Sequence, residues 1–204
     1  MHTIRHIVFD IGKVLIHYDP ELPYKRVIPD GEKRAWFLAN VCTPAWNIEQ
    51  DRGRSWATAE AELIGSHPDW TREIRAFRQK WREMVPHAYE DSVAILVELI
   101  EAGTDITFLT NFASDTFAEA QTLYPFLKSG RGVTVSGRAG LIKPDPAIYA
   151  LHTETFELDP AATLFIDDSE KNVEAARSFG WHAVRFTSAE ALRDDLQRFG
   201  FRPD

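Results

Sequence analysis

Cysteine is nearly absent: Cys42 is the single one in 204 residues. No disulfide can form within the chain, and a reducing cytoplasm is the expected location. Nothing around Cys42 would activate its thiol, so packing is its expected role. No apolar run reaches the ~18–20 residues that a membrane span requires, and the first nine residues lack the apolar stretch of a secretory signal. No membrane partner is therefore expected. Positive charge is in short supply as well: 23 Lys and Arg against 31 Asp and Glu give a formal net charge of −8. That balance argues against a general nucleic-acid surface. It leaves a small phosphorylated substrate open, because a metal ion and a few local cations reverse the sign within one cleft. The seven histidines show no metal-ligand spacing, although His17, seven residues after Asp10, is placed to reach a site rim. No glycine-rich nucleotide fingerprint follows the first predicted strand, so a dinucleotide cofactor is not expected.

What is present is an alternation of short apolar strands and amphipathic helices. Strands are predicted at residues 4–9, 106–109, 132–135, 164–166 and 183–186, and helices at 92–102, 114–123, 147–155, 170–179 and 190–199. Such alternation predicts an α/β fold: a doubly wound, Rossmann-like parallel sheet covered on both faces. Residues 18–88 break the pattern. They read as helix throughout and contain five of the six tryptophans. This stretch is expected to be an inserted α-helical cap, leaving residues 1–17 and 89–204 as the core domain. Thr43 followed by Pro44 predicts a helix start. Asp69 is expected to cap a helix whose Trp70, Ile74, Phe77 and Trp81 share one face. The tryptophans are expected to pack a helical core, with one or two of them lining a substrate pocket as the alternative.

In an open parallel sheet, ligands bind beyond the carboxyl ends of the strands. Here the first strand ends in Asp10, the second in Thr110-Asn111 and the fourth in Asp167-Asp168, while Lys143 follows the third in Ile142-Lys143-Pro144-Asp145-Pro146. An Asp after a strand is ordinarily a turn or cap residue, and a Lys before Pro ordinarily lies at the surface. Two adjacent aspartates repel, however, and together these groups suit a cation. Mg²⁺ prefers hard oxygen ligands, and Asp10 and Asp168 would hold it while a second Asp10 oxygen attacks phosphorus. Lys143, Thr110 and loop N–H groups would neutralise the transferring phosphoryl group.

These segments together resemble the haloacid dehalogenase superfamily, which consists mostly of phosphatases. The resemblance covers about residues 4–18 and 90–188, and it places the helical insert where that family carries a small cap. It implies Asp10 as nucleophile, Thr110 as phosphate-binding hydroxyl and Lys143 as stabilising cation, with Asn111 and Asp167 completing the catalytic set. It implies Asp10, Asp168 and the main-chain carbonyl of Gly12 as Mg²⁺ contacts, with Asp167 acting on the metal directly or through water. The turn Gln50-Asp51-Arg52-Gly53 is similar to the one through which the family's caps approach substrate. Asp51, Arg52 and Trp46 are thus the candidate substrate contacts.

Gly12 is also the main departure. Most phosphatases of the family carry there a second Asp that protonates the leaving oxygen and then activates water. Loss of a general acid–base group typically costs ~10²–10⁴ in rate. Asp51 is the candidate replacement, against the plainer reading of a solvated helix-ending turn. The expected function is a Mg²⁺-dependent phosphatase acting on a small phosphomonoester, a sugar phosphate by resemblance, as a monomer or homodimer. Two rival readings stay open. A metal-independent 2-haloacid dehalogenase would use the same Asp10 and suits the gap at Gly12. Yet it leaves Asp167-Asp168 to repel a carboxylate substrate, and Val14 stands where the family's dehalogenases carry Ser or Thr. A catalytically inactive binding protein would have no reason to keep nucleophile, lysine and acidic pair together.

Overall fold

The computed structural model describes residues 3–201. Five parallel strands, β1 (His6–Phe9), β2 (Asp105–Thr110), β3 (Gly132–Val135), β4 (Thr163–Asp167) and β5 (His182–Arg185), form one sheet in the order β3-β2-β1-β4-β5. The expected doubly wound α/β architecture is present. The strands are apolar throughout because both sheet faces are covered. Ile7 and Phe9 pack into the larger core and Val8 into the smaller one on the opposite face, as the two-residue period of a strand requires. Register then sets the functional edge. Phe9 stands opposite Phe108 on one side and Ile166 on the other, which brings Asp10 level with Leu109 and Asp167. The order reverses at β1, and there the crevice opens.

Between β1 and the helix Glu90–Glu101 the chain forms six helices, from Glu21–Val27 to Trp81–Met84. Thr43 caps the helix Pro44–Asp51 as expected, its hydroxyl accepting from Trp46 N at 3.0 Å. Asp69 does not cap a helix. It lies in a 3₁₀ turn, Pro68–Trp70, held by Trp70 N donating to His67 O and by Thr71 Oγ1 donating to Pro68 O. The helix Thr71–Gln79 follows without a side-chain cap, and Lys80 breaks it from Trp81–Met84. The predicted apolar face survives the break: Ile74, Phe77 and Trp81 are all buried. Trp46, Trp56 and Trp70 are half-buried against the same core, whereas Trp36 is exposed and stacked on Trp70. Among the described residues no helix is long and apolar enough to cross a membrane.

The inserted helices and the sheet share one apolar core, since Tyr24, Phe37 and Phe77 join Ile7, Phe9 and Ile166 in a single cluster. Polar contacts fix the orientation. Arg78 pairs with Asp115 at 2.8 Å and Arg82 with Glu119 at 2.8 Å. Ser136 Oγ donates to the Asp51 carbonyl at 2.5 Å. Glycines line this approach on both sides: a Cβ on Gly53 would meet Gly137 O at 3.1 Å, and one on Gly137 would meet Phe112 O and Ser114 N at 2.8 Å.

His152 ties the other sheet face. Its ring nitrogens bond the hydroxyls of Thr134 at 2.8 Å and Thr107 at 2.9 Å. Burial, with Arg131 and Lys143 adding to it, pushes its pKa down to about 3. The unfolded chain binds a proton below about pH 6.5 that the folded chain refuses. Its stabilising contribution is therefore whole above that pH and is lost as pH falls toward 3. In urea unfolding, the stability advantage of the native chain over His152→Gln should shrink between pH 6.5 and 4 by up to about 1.4 kcal/mol per pH unit. An advantage that does not change with pH would show that the ring is protonated in the fold.

Candidate active site

Lys143 Nζ lies 2.8 Å from Asp10 Oδ1, 2.7 Å from Asp167 Oδ2 and 3.0 Å from the Leu109 carbonyl. The ammonium thus uses all three donors on the ends of β1, β4 and β2. Burial alone would depress Lys143, but Asp10 and Asp167 outweigh it and hold the pKa above the ordinary lysine value. Burial, with Asp167 adding to it, pushes Asp10 up to about 7 against the pull of Lys143.

The lysine has no freedom to leave this position. Asn111 Nδ2 donates to the Lys143 carbonyl at 3.0 Å, and Lys143 N donates to Asn111 Oδ1 at 2.8 Å. The side-chain amide after β2 thereby clamps the loop backbone that carries the ammonium group. Asp10, Gly12, Thr110, Lys143, Asp168 and Asn172 line a hollow of about 210 Å³ at the sheet edge. Every residue predicted from the strand ends is in or beside it.

Asp167 and Asp168 differ sharply despite adjacency. Asp167 is fully buried and accepts four hydrogen bonds, from Lys143 Nζ, Ser169 N and, to both oxygens, Asn172 Nδ2. That fills its lone pairs. Asp168 is only half-buried, and its pKa is raised by burial and by Asp167 against the pull of Lys13 and Lys143. One oxygen from each of Asp10, Asp167 and Asp168 falls within a 4.8 Å cluster. Three carboxylates against one ammonium leave an excess of negative charge that suits a divalent cation with hard oxygen ligands. Asp10 and Asp168 are the pair with oxygens to offer it.

Across the hollow stands the end of the inserted helix Pro44–Asp51. The Asp51 carboxyl accepts from Asn47 Nδ2 at 3.3 Å and from the Ala113 N–H, and burial pushes it up to about 7. Asp51, Gly12, Tyr18, Asn111, Trp56 and Trp81 line a narrow chamber of about 90 Å³ that continues from the hollow. Two tryptophans do line this chamber, and Trp46 is not one of them. Its ring sits edge-on to Trp56 and Phe77, inside the aromatic packing of the insertion. Arg52 turns to the surface toward Glu49, 3.7 Å away. His17 bonds the Tyr89 hydroxyl at 3.1 Å and stacks on His87, at the two crossings between sheet and insertion.

Lys13 and Tyr18 were not anticipated from the sequence, yet both line the hollow. Lys13 adopts the left-handed region at φ 59° because the loop after β1 folds back, with Lys13 N donating to Ile16 O and Leu15 N to Ile11 O. The signal for Lys13 is a cation three residues from Asp10; Tyr18 carries no spacing signal at all.

The clamp makes a specific prediction. Asn111→Leu leaves the Lys143 backbone N–H and C=O without their partners, which should destabilise the chain by about 1–3 kcal/mol in urea unfolding. Unchanged stability would show that the loop is held by other contacts.

Comparison with known proteins accords with this geometry. A sesquiterpene phosphatase of Aspergillus oryzae is 26% identical over 96% of this chain and 96% of its own length. A haloacid dehalogenase family enzyme of Bacteroides thetaiotaomicron, crystallised with magnesium and inorganic phosphate, superposes with a TM-score of 0.69 at 21% identity, covering 90% of this chain and 94% of that one. The L-2-haloacid dehalogenase of Xanthobacter autotrophicus superposes with a TM-score of 0.63 at 22% identity, covering 96% and 83%. Phosphatase and dehalogenase thus share the fold, which does not choose between them. Residues 4–180 match the family described as haloacid dehalogenase-like hydrolase, and the chain belongs to that family.

Proposed function

We propose that the chain is a Mg²⁺-dependent phosphatase that hydrolyses a small phosphomonoester through an aspartyl-phosphate at Asp10. The observation that carries this reading is the acidic pair beside a lysine-bound nucleophile. Lys143 bridges Asp10 and Asp167 at 2.8 and 2.7 Å, and Asp168 completes the carboxylate cluster. Without a cation, those charges would repel the carboxylate of a 2-haloacid. The sesquiterpene phosphatase relative supports the same choice.

The chemistry follows from the donors. Lys143 holds one oxygen of Asp10 and leaves the other to attack phosphorus. Asp10, Asp168 and the Gly12 carbonyl would hold Mg²⁺, which when bound supplies positive charge to the phosphoryl oxygens. Thr110 donates its hydroxyl to the same oxygens, and Lys143 is kept charged for the transition state by its two carboxylates. Asp167 acts through Lys143, as a positioning residue. The gap at Gly12 is met from the insertion. Asp51 lines the same chamber as Gly12, and a pKa of about 7 lets it protonate the leaving oxygen and then take a proton from water. The inserted helices thus act as a cap that supplies the acid and shields the transfer from solvent.

Asp10→Asn should abolish Mg²⁺-dependent phosphate release from p-nitrophenyl phosphate. Halide release from 2-chloropropionate that survives EDTA would overturn the reading. Asp51→Asn should slow esters with poor leaving groups by about 10²–10⁴ and p-nitrophenyl phosphate far less. It should also remove the limb of the kcat/KM–pH profile near 7, because protonated Asp51 is the working acid below its pKa. A Cβ on Gly12 meets nothing within 4 Å, so the backbone there accepts the first side-chain carbon of Gly12→Asp. That change should restore turnover to the Asp51→Asn variant, whereas an Asp51→Asn variant with the native rate and pH profile would remove Asp51 from the mechanism.

A further inference from the structure

A cleft of about 360 Å³ runs between the inserted helices, walled by Pro20, Leu38, Cys42, Pro44, Ile48 and Phe77. That volume lies in the range of small-molecule sites. It opens on the catalytic hollow, because Lys13 and Tyr18 line both. Away from the end where Lys13, Tyr18 and Asp51 stand, the walls are carbon, and the polar groups among them are already engaged. Asn47 donates to Asp51, Thr43 caps the helix Pro44–Asp51, and the Cys42 thiol pairs with Tyr24. Burial pushes that thiol up to about 12, so it serves as an apolar wall group. At the mouth, the Tyr18 hydroxyl makes no hydrogen bond within the described residues.

One end of this continuous space is therefore charged and the other is apolar. The hydroxyls of a sugar phosphate would face carbon walls without partners. We propose that the substrate is an amphiphilic phosphomonoester, with its phosphate on Asp10 and Lys143 and a hydrocarbon chain in the cleft. The assignment rests on the phosphatase reading and names its substrate class. An apolar cavity of about 150 Å³ accepts a benzene ring, and on that scale this cleft takes about a dozen carbons. Ester cleavage would leave the chain as a free alcohol in the cleft: the Asp10–P bond forms as the P–O(alkyl) bond breaks, the alkoxide takes the proton held by Asp51, and water then cleaves the Asp10–P bond, giving its oxygen to phosphate and a proton back to Asp51.

The test uses the whole chain with Mg²⁺ and a series of n-alkyl phosphates from ethyl to decyl, each below its micelle concentration, with p-nitrophenyl phosphate and glucose 1-phosphate alongside. The kcat/KM should rise about fourfold per methylene and then level off. Binding of the matching n-alkylphosphonates, which cannot be hydrolysed, should tighten in parallel by calorimetry. Ile48→Asn should flatten both series, with Leu38→Asn as a second variant should the first not fold. Hydrolysis of p-nitrophenyl phosphate with no dependence on chain length, or faster turnover of glucose 1-phosphate than of octyl phosphate, would overturn the proposal and leave the phosphatase reading standing. Phosphonate affinity that climbs with length while no ester releases phosphate would support the cleft and overturn the phosphatase reading.

Discussion

The Lys143 side chain is 1% exposed, and its ammonium touches two carboxylates and a carbonyl. A charge taken that far from water is tolerated only when it is paired and hydrogen-bonded, and removing one partner of such a pair typically costs about 3–5 kcal/mol. Asp10 follows β1, Asp167 ends β4 and Leu109 lies in β2, so the lysine stitches the crevice where the sheet order reverses. The rest of the site is arranged around it. Asn111 clamps its backbone, Asn172 and Ser169 hold Asp167 in place to receive it, and β1 delivers Asp10 in register.

This arrangement divides the work between two layers. The sheet edge supplies charge: the carboxylate proposed as nucleophile, a fixed cation and a carboxylate cluster that suits a divalent metal. The inserted helices supply what the sheet edge lacks, namely a carboxyl of raised pKa at Asp51 and apolar walls. The absence of a side chain at Gly12 then has a structural counterpart, since its place is open space and Asp51 faces the same chamber. The Asp51 turn keeps that position because Ser136 bonds its carbonyl and Gly53, two residues on, lets the turn approach the Gly137 carbonyl.

The sheet edge was legible in the sequence because strand ends are marked twice, by an apolar run and by the polar residue that stops it. Asp10, Thr110 and Asp167 are such stops, and the structure gathers them as expected. The insertion was less legible. Helical periodicity identifies a buried face, which Ile74, Phe77 and Trp81 share, but it does not say what lies opposite. Trp46 lies on the same helix as Asp51, and Arg52 follows its end. On a helix end, neighbours point in different directions, one into the aromatic packing and one to solvent. Asp69 failed as a cap because Pro68 and Thr71 close a 3₁₀ turn around it, a local competition that composition does not reveal. Lys13 is marked in the sequence only by its charge three residues from Asp10, and its left-handed backbone follows from the loop's own hydrogen bonds.

The most direct test of the account is to trap the covalent step. The native chain is mixed with Mg²⁺ and p-nitrophenyl phosphate, quenched in acid within the first turnover, and the peptide containing Asp10 is analysed by mass spectrometry. The account predicts one phosphoryl group on Asp10 that borohydride reduction converts to homoserine at that position. A phosphoryl group on another residue would contradict it.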